Sequence, residues 1–406
     1  MKKLLFVTFF FFSVLGFSQT RISGRIVDKE NTPLEGASVY LNNTTIGVST
    51  KTNGEFDFTV ADGTYDLIVS YLGFKTIQYT LTTSAYSKEL FFTLEESENV
   101  LNEVVIRKTK YDETWKYNLN QFIQNFLGRT NLAADCKILN AKTLHFEYDE
   151  KIRTMTAFAR EPLKIENKGL GYLITFDLAL FSLGPNTVNY YGYTKYETLS
   201  GGKRKQRKWK ENRTKAFLGS KMHFVRSLIA GNTKEQGFNI NKFRREPNPE
   251  RPSDKEIERA REIVKLSNIN TYDFQFKAAP ETIIDSAMVI LQKSSLPKFK
   301  DYLYKQGVPL NEIAQFEDSK HILSFPNYLS IIYTKETEED NYVMGIFGKK
   351  RSPLAVQTSA MTMLVKQALL DPSGEIINPL DVFYEGYWAF EQFADALPLN
   401  YTAQQN

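Results

Sequence analysis

A chain of 406 residues is long enough for two or three domains with substantial cores, and its net charge of +4 is too small to argue for nucleic acid or an anionic surface as a global partner. A single cysteine, Cys136, excludes an intrachain disulfide and a cysteine-based metal site. The 22 Tyr and 30 Phe suit a β-rich chain whose strands pair through aromatic residues.

Residues 1–18 have the form of a secretory signal: Lys2 and Lys3, an apolar run from Leu4 to Leu15 broken only by Thr8 and Ser13, then Gly16 and Ser18 before Gln19. The run is shorter than the ~20 residues a membrane span requires. Cleavage before Gln19 is the expectation, in preference to a retained anchor. No cysteine stands directly after the cut to carry a lipid, and no later apolar run is long enough to cross a bilayer. The expected product is exported, to the periplasm or the outer membrane, with no transmembrane segment after signal cleavage. Lacking disulfides, it takes its stability from packing.

Residues 20–94 read as an all-β sandwich. Ile22-Ser-Gly-Arg-Ile-Val27 alternates apolar and polar positions, and Asp28 to Pro33 forms a polar turn. Ala37–Leu41 and Ile46–Thr50 are the next strands, separated by the turn cluster Asn42-Asn43-Thr44-Thr45. Asn53-Gly54 is a strong hairpin signal before Phe56-Asp-Phe58-Thr-Val60. Asp62-Gly63 turns the chain into Tyr65–Tyr71; Thr76–Leu81 follows, and Leu90–Leu94 closes the sheet. Short strands at such even spacing predict a sandwich.

Gly24-Arg-Ile-Val-Asp28, Pro33-Leu-Glu-Gly-Ala-Ser-Val39, Thr52-Asn-Gly-Glu-Phe56 and Ser70-Tyr-Leu-Gly-Phe-Lys75 resemble the carboxypeptidase-regulatory-like (transthyretin-like) domain of Bacteroidetes envelope proteins. A similar module precedes starch-utilisation-type TonB-dependent transporters. The resemblance implies a prealbumin-like sandwich, a Bacteroidetes origin and the cell envelope, and it implies no chemistry. Residues 95–110 are read as linker and strand: acidic Glu95–Asn99, then Val100–Ile106, which is either a transporter-like coupling segment or one more strand. The rest of the chain is too short for a plug and a barrel of about twenty strands, so the transporter reading is rejected.

Residues 111–406 are expected to form a β-rich α+β domain, with a subdivision near 241–252. Trp115, Leu119, Phe122, Ile123, Phe126 and Leu127 share a helical face ending at Gly128. Thr143–Tyr148 and Thr154–Ala159 make a hairpin; Leu173–Leu178 and Val188–Tyr196 are further strands. Ser220–Ile229 is a short helix, and Asn241–Arg251 is read as a surface loop. Ser253-Asp-Lys-Glu256 is a capping box opening a helix. Asp273–Phe276 restores apolar structure, while Ile283–Leu291 and Gln357–Leu370 fit either periodicity. Leu329–Thr334 and Tyr342–Phe347 are read as a hairpin, Val382–Tyr384 as a strand, and Gly386–Pro398 as an amphipathic closing helix. This region is similar to uncharacterised Bacteroidetes proteins carrying the same N-terminal module.

The sharpest charge feature is Lys203-Arg204-Lys205-Gln206-Arg207-Lys208-Trp209-Lys210, continued by Arg213 and Lys215. It is either a patch for an anionic partner, such as phosphate-bearing lipid or acidic glycan, or a solvated hairpin tip after Gly201-Gly202. Trp209 within it leans toward a patch. Nucleic acid does not suit an exported chain.

The sequence carries no recognisable catalytic signature. His145, His223 and His321 are far apart and none belongs to a His-x-x-Glu pair, so a zinc carboxypeptidase is unsupported. No Gly-x-Ser-x-Gly elbow, phosphate loop or dinucleotide fingerprint occurs. Cys136 is read as a small hydrophobe and not a nucleophile. Two carboxylates assembled by the fold stay open as a glycosidase-type alternative. The expectation is a non-catalytic envelope binding or assembly protein without cofactor, its partner an envelope protein or an anionic glycan or lipid. The alternative is a hydrolase acting on cell-wall peptide or glycan.

Overall fold

The computed structural model describes residues 19–97, 109–267, 274–275, 279–317, 320–343 and 355–403. The expected leader at 1–18 and the segment Val100–Ile106 lie outside these, as do Asp273 and Phe276. The described residues form two compact units, one from those up to Ser220 with returns at 339–343 and 390–403, the other from those of 221–338 and 355–389. The architecture is β-rich, with an N-terminal sandwich followed by α+β structure.

In the first unit the sandwich comprises β1 (Gln19–Val27), β2 (Ser38–Leu41), β3 (Gly47–Ser49), β4 (Glu55–Ala61), β5 (Thr64–Ser70), β6 (Ile77–Thr82) and β7 (Leu90–Thr93). They form sheets β4-β1-β7 and β3-β2-β5-β6. Alternation does what it predicts: Phe56, Phe58 and Val60 point inward along β4, meeting Ile22, Ile26 and Leu67 in the core. Each such side chain contributes about 1.5–3 kcal/mol by leaving water. Gly24 is required at its position, because a Cβ there would sit 2.3 Å from the Leu90 carbonyl and 2.6 Å from the Phe56 ring. The Asn53-Gly54 turn differs from expectation. It carries the chain from β3 in one sheet to β4 in the other, so it links the layers and does not close an in-sheet hairpin. Gly54 has φ +76°, and a Cβ would meet the Ile26 carbonyl at 2.4 Å.

A second sheet follows in the same unit: β8 (Cys136–Ile138), β9 (Leu144–Asp149), β10 (Thr154–Ala159), β11 (Leu163–Asn167), β12 (Tyr172–Leu183) and β13 (Val188–Thr198). The expected β9–β10 hairpin is present. The long β12 pairs with β13 along one edge; on the other, its first half pairs with β11 and its end with β10. The Glu113–Phe126 helix, capped by the Asp112 carboxylate on the Trp115 amide, lays Phe122 and Phe126 on this sheet. Ring centroids lie 4.6 Å apart for Phe122–Phe181, 5.1 Å for Phe126–Phe176 and 4.6 Å for Phe126–Phe393.

The second unit holds β14 (Phe238–Pro247), β15 (Phe299–Lys305), β16 (Ala314–Glu317), β17 (Lys320–Leu323), β18 (Tyr328–Thr337), β19 (Val356–Met363), β20 (Ala368–Asp371), β21 (Glu375–Ile376) and β22 (Val382–Gly386). Its sheets run β15-β14-β18-β19-β22 and β16-β17-β20-β21. The Lys221–Ile229 helix packs Phe224 on Phe238 and Trp388. Helices Asp254–Leu266 and Ile283–Lys293 form a hairpin around Ala260, Val264, Ala287 and Met288. Capping boxes open both, Ser253 with Glu256 and Thr282 with Asp285; the latter decides Ile283–Leu291 for helix.

Several expectations are corrected. Residues 241–247, read as loop, are strand, because Phe238, Ile240 and Phe243 are buried and the intervening Lys242 is accommodated by Glu312 at 3.4 Å. Leu329–Thr334 pairs with β14 and β19, and Tyr342 belongs to the helical turn Asp340–Val343; residues 344–347 are outside the described set. Gln357–Leu370 resolves into strands β19 and β20. Gly386–Pro398 forms only the turns Tyr387–Phe390 and Phe393–Asp395, since its aromatic residues are drawn to separate core contacts.

Candidate anionic interface

The cationic run is a helix, Lys203–Phe217, and not a hairpin tip. Lys, Arg, Gln and Glu are good helix formers, and one face supplies inward residues at helical spacing: Trp209, Asn212, Arg213 and Ala216. The periodicity was hidden because two of these four are polar.

That face is held by the turn between β11 and β12. The Trp209 indole donates to the Lys168 carbonyl at 2.8 Å and the Asn212 amide to the Gly169 carbonyl at 2.8 Å. Arg213 donates to the carbonyls of Leu170 at 2.7 Å and Gly171 at 3.2 Å, and its guanidinium lies 4.1 Å from the Tyr172 ring centroid. Gly171 has φ +74°, and a Cβ would lie 2.3 Å from the Trp209 ring. The turn is shaped by fully buried Asn167, which accepts from the Leu170 amide at 2.9 Å and donates to the Ala394 carbonyl at 2.9 Å.

The opposite face is cationic, carrying Lys203, Arg204, Arg207, Lys208 and Lys210, while Lys205, one turn before Trp209, lies on the Trp209 side; all six are exposed. Trp209 is 5% exposed and so offers no ring to a ligand. Arg207 approaches Glu211 at 3.8 Å; among the described residues the other five form no ion pair. Three cations occupy the first turn, no acidic residue accompanies them, and Gly202 provides no side-chain cap. This opposes the helix dipole at about 0.3–1 kcal/mol per charge. Like-charge pairs such as Lys203/Arg207 and Arg204/Lys208 cost a further few tenths each. The helix tolerates these penalties because its inner face is anchored.

The same unit joins the sandwich to the β12–β13 sheet through the Asn42–Thr45 turn. The Asn43 amide donates to the Thr194 carbonyl at 2.8 Å and the Tyr196 amide to the Thr44 carbonyl at 3.0 Å; the Leu399 amide donates to the Asn43 carbonyl at 2.7 Å. The Thr194 amide donates to the Asn42 side chain at 2.8 Å, and Asn400 bonds Thr45 twice, at 3.1 and 2.7 Å. Thr76 donates to Asp177 at 2.9 Å and Tyr193 to Gln78 at 3.1 Å. Burial pushes the Asp177 carboxyl above its ordinary range, only partly offset by Thr76. Asn42–Thr45 is legible in the sequence as a turn, and no local signal marks its partner.

The three histidines are not brought together as a site. His145 is half-buried, 3.7 Å from Glu147. His223 is buried, with Nε2 3.0 Å from the Gln236 side chain, and burial pulls it below its ordinary pKa. His321 packs against Phe316. Among the described residues no group of three His, Cys, Asp or Glu could hold a metal ion. The half-buried Cys136 thiol is pushed up to about 12, by burial first and then by the charges of Asp395 and Asp135.

In the second unit two carboxylates converge on one arginine. Arg245 donates to the Asp301 carboxylate at 2.7 and 3.0 Å and to the Glu385 carboxylate at 2.8 and 2.9 Å, with Tyr328 stacked 4.7 Å from the guanidinium. Both carboxylates are engaged in two-point contacts and hold the arginine firmly charged.

Residues 22–106 match the family model of the CarboxypepD_reg-like domain. A curated relative, structural protein 27 of a virus (isolate Australia/Victoria), is 24% identical over 140 residues, 34% of this chain; the chain spans only 27% of that protein. Among solved structures, a DUF3823 family protein from Bacteroides ovatus ATCC 8483 aligns over 46% of this chain and 83% of its own, at 10% identity and a TM-score of 0.16. A DUF3823 family protein from Parabacteroides merdae ATCC 43184 aligns over 44% and 80%, at 9% identity and a TM-score of 0.15. The N-terminal sandwich, and not the remainder of the chain, thus carries the match to the CarboxypepD_reg-like domain.

Proposed function

We propose that this chain is a non-catalytic binding protein of the cell envelope, which meets an anionic partner through the outward face of the Lys203–Phe217 helix. The observation that carries this reading is the pairing of a locked inner face with an exposed outer face whose cations, Arg207 apart, form no ion pair among the described residues. A helix selected only for stability would place acidic residues in its first turn and intersperse charges. The sandwich serves as a rigid body fixed to the sheet beside it, in keeping with a module that carries no chemistry of its own. In this reading the 1–18 leader exports the protein to the periplasmic or outer-membrane face.

The test is cell fractionation of wild type against a variant with Lys203, Arg204, Lys205, Arg207 and Lys208 all replaced by Ser. The variant is expected to move from the envelope fraction to the soluble fraction while keeping its thermal transition. Unchanged fractionation would remove the helix as the contact.

A further inference from the structure

We infer that the partner of this helix is the phosphate-bearing headgroup layer of an anionic lipid surface, met side-on and without insertion. This rests on the cationic-contact reading above and adds the identity of the ligand. With Trp209 pointing inward, the helical repeat sets Lys203, Arg207 and Lys210 in one outward row and Arg204, Lys208 and Lys215 in another. At the α-helical rise the first row extends about 10 Å and the second about 16 Å, and they flank a face about 10 Å wide.

A single phosphate or small acid needs cations that converge on one point, and these diverge. A single linear polyanion is served by one row, and here there are two. A planar array of anionic headgroups meets both rows together, so charge and shape agree on a surface. Glu211 between the rows is screened by Arg207. Insertion is excluded by the side chains themselves: Trp209, Ala216 and Phe217 are buried in the protein, and the outward arc carries only polar and charged residues. Among the described residues no helix is long and apolar enough to cross a membrane. Binding is therefore electrostatic, peripheral and salt-reversible.

The experiment is co-sedimentation of the full exported chain with phosphatidylcholine vesicles, with and without phosphatidylglycerol, over a salt series. Binding is expected only to the phosphatidylglycerol vesicles, with release as salt rises. Each cation contributes roughly a fivefold factor, so Ser replacement of either row of three weakens binding by about a hundredfold. Tryptophan emission should stay unchanged on binding, since Trp209 is already enclosed. Equal retention on phosphatidylcholine, an effect confined to one row, or binding to soluble heparin without binding to vesicles would each overturn the lipid assignment. If vesicles fail while the five-Ser variant still leaves the envelope in cells, the cationic contact stands and only its lipid identity falls. If fractionation is also unchanged, the contact itself falls.

Discussion

The amide of Asn43 donates to the carbonyl of Thr194 at 2.8 Å, so a turn of the sandwich completes its hydrogen bonding on the outer strand of the adjoining sheet. Asn43 does this with φ +56°, a conformation that asparagine tolerates and most residues resist. The neighbouring Asn42 side chain satisfies the amide of buried Thr194. Asn42→Ala leaves that amide without its partner and is expected to cost about 1–3 kcal/mol in urea unfolding. Limited proteolysis should then show the sandwich released as a fragment earlier than in wild type. An unaltered midpoint and cleavage pattern would mean that the turn is not what holds the sandwich.

The cationic helix separates stability from charge. Trp209→Ala removes a buried ring and its hydrogen bond to Lys168, and should destabilise by about 3–5 kcal/mol. Gly171→Ala drives a Cβ into the same ring from a backbone with φ +74°, and should cost about 1–3 kcal/mol. Lys203→Glu instead relieves the opposed dipole and is expected to stabilise by about 0.3–1 kcal/mol. Thermal unfolding of the three variants gives the comparison; a loss of stability in Lys203→Glu would contradict the account of the first turn.

Asp177 makes the sandwich joint sensitive to pH. Burial raises its folded pKa above the unfolded value, so the folded protein binds the proton more tightly. The stability it supports is fully present below the unfolded pKa and is lost as pH rises through the folded one. Asp177→Asn should therefore unfold at higher temperature than wild type at neutral pH, with the difference vanishing in acid. A difference independent of pH would assign the effect to packing instead.

His223 works in the opposite direction. Burial lowers its folded pKa below the ordinary 6.5, so acid favours the unfolded chain. Stability is present above the unfolded value and falls as pH drops toward the folded one. His223→Gln should flatten that acid limb, read from denaturation midpoints across the range, at the expense of the ring's packing on Phe238.

Arg245 binds two strands that are not neighbours in their sheet, through Asp301 on β15 and Glu385 on β22. Its partners are partly exposed, so water screens the contact. Arg245→Ala is expected to cost about 1–3 kcal/mol. Arg245→Lys should recover little of it, because an ammonium cannot offer the planar fork. Full recovery by lysine would show that charge alone suffices.

The sequence by itself determined what depends on near neighbours. Alternation along Phe56, Phe58 and Val60 set the face of β4, and the spacing of Phe122 and Phe126 set that of the first helix. Ser253 with Glu256 announced a helix start by a hydrogen bond three residues long. Cationic charge at 203–210 was equally plain, but its conformation was not. Whether that run is tip or helix depends on Trp209, Asn212 and Arg213 finding the carbonyls of 168–171, about forty residues earlier. The joining of Asn43 to Thr194, the burial of Asp177 and the convergence of Asp301 and Glu385 on Arg245 likewise belong to tertiary structure. Each pairs groups remote in the chain, and a local pattern of residues records which side of an element is apolar without recording what will cover it.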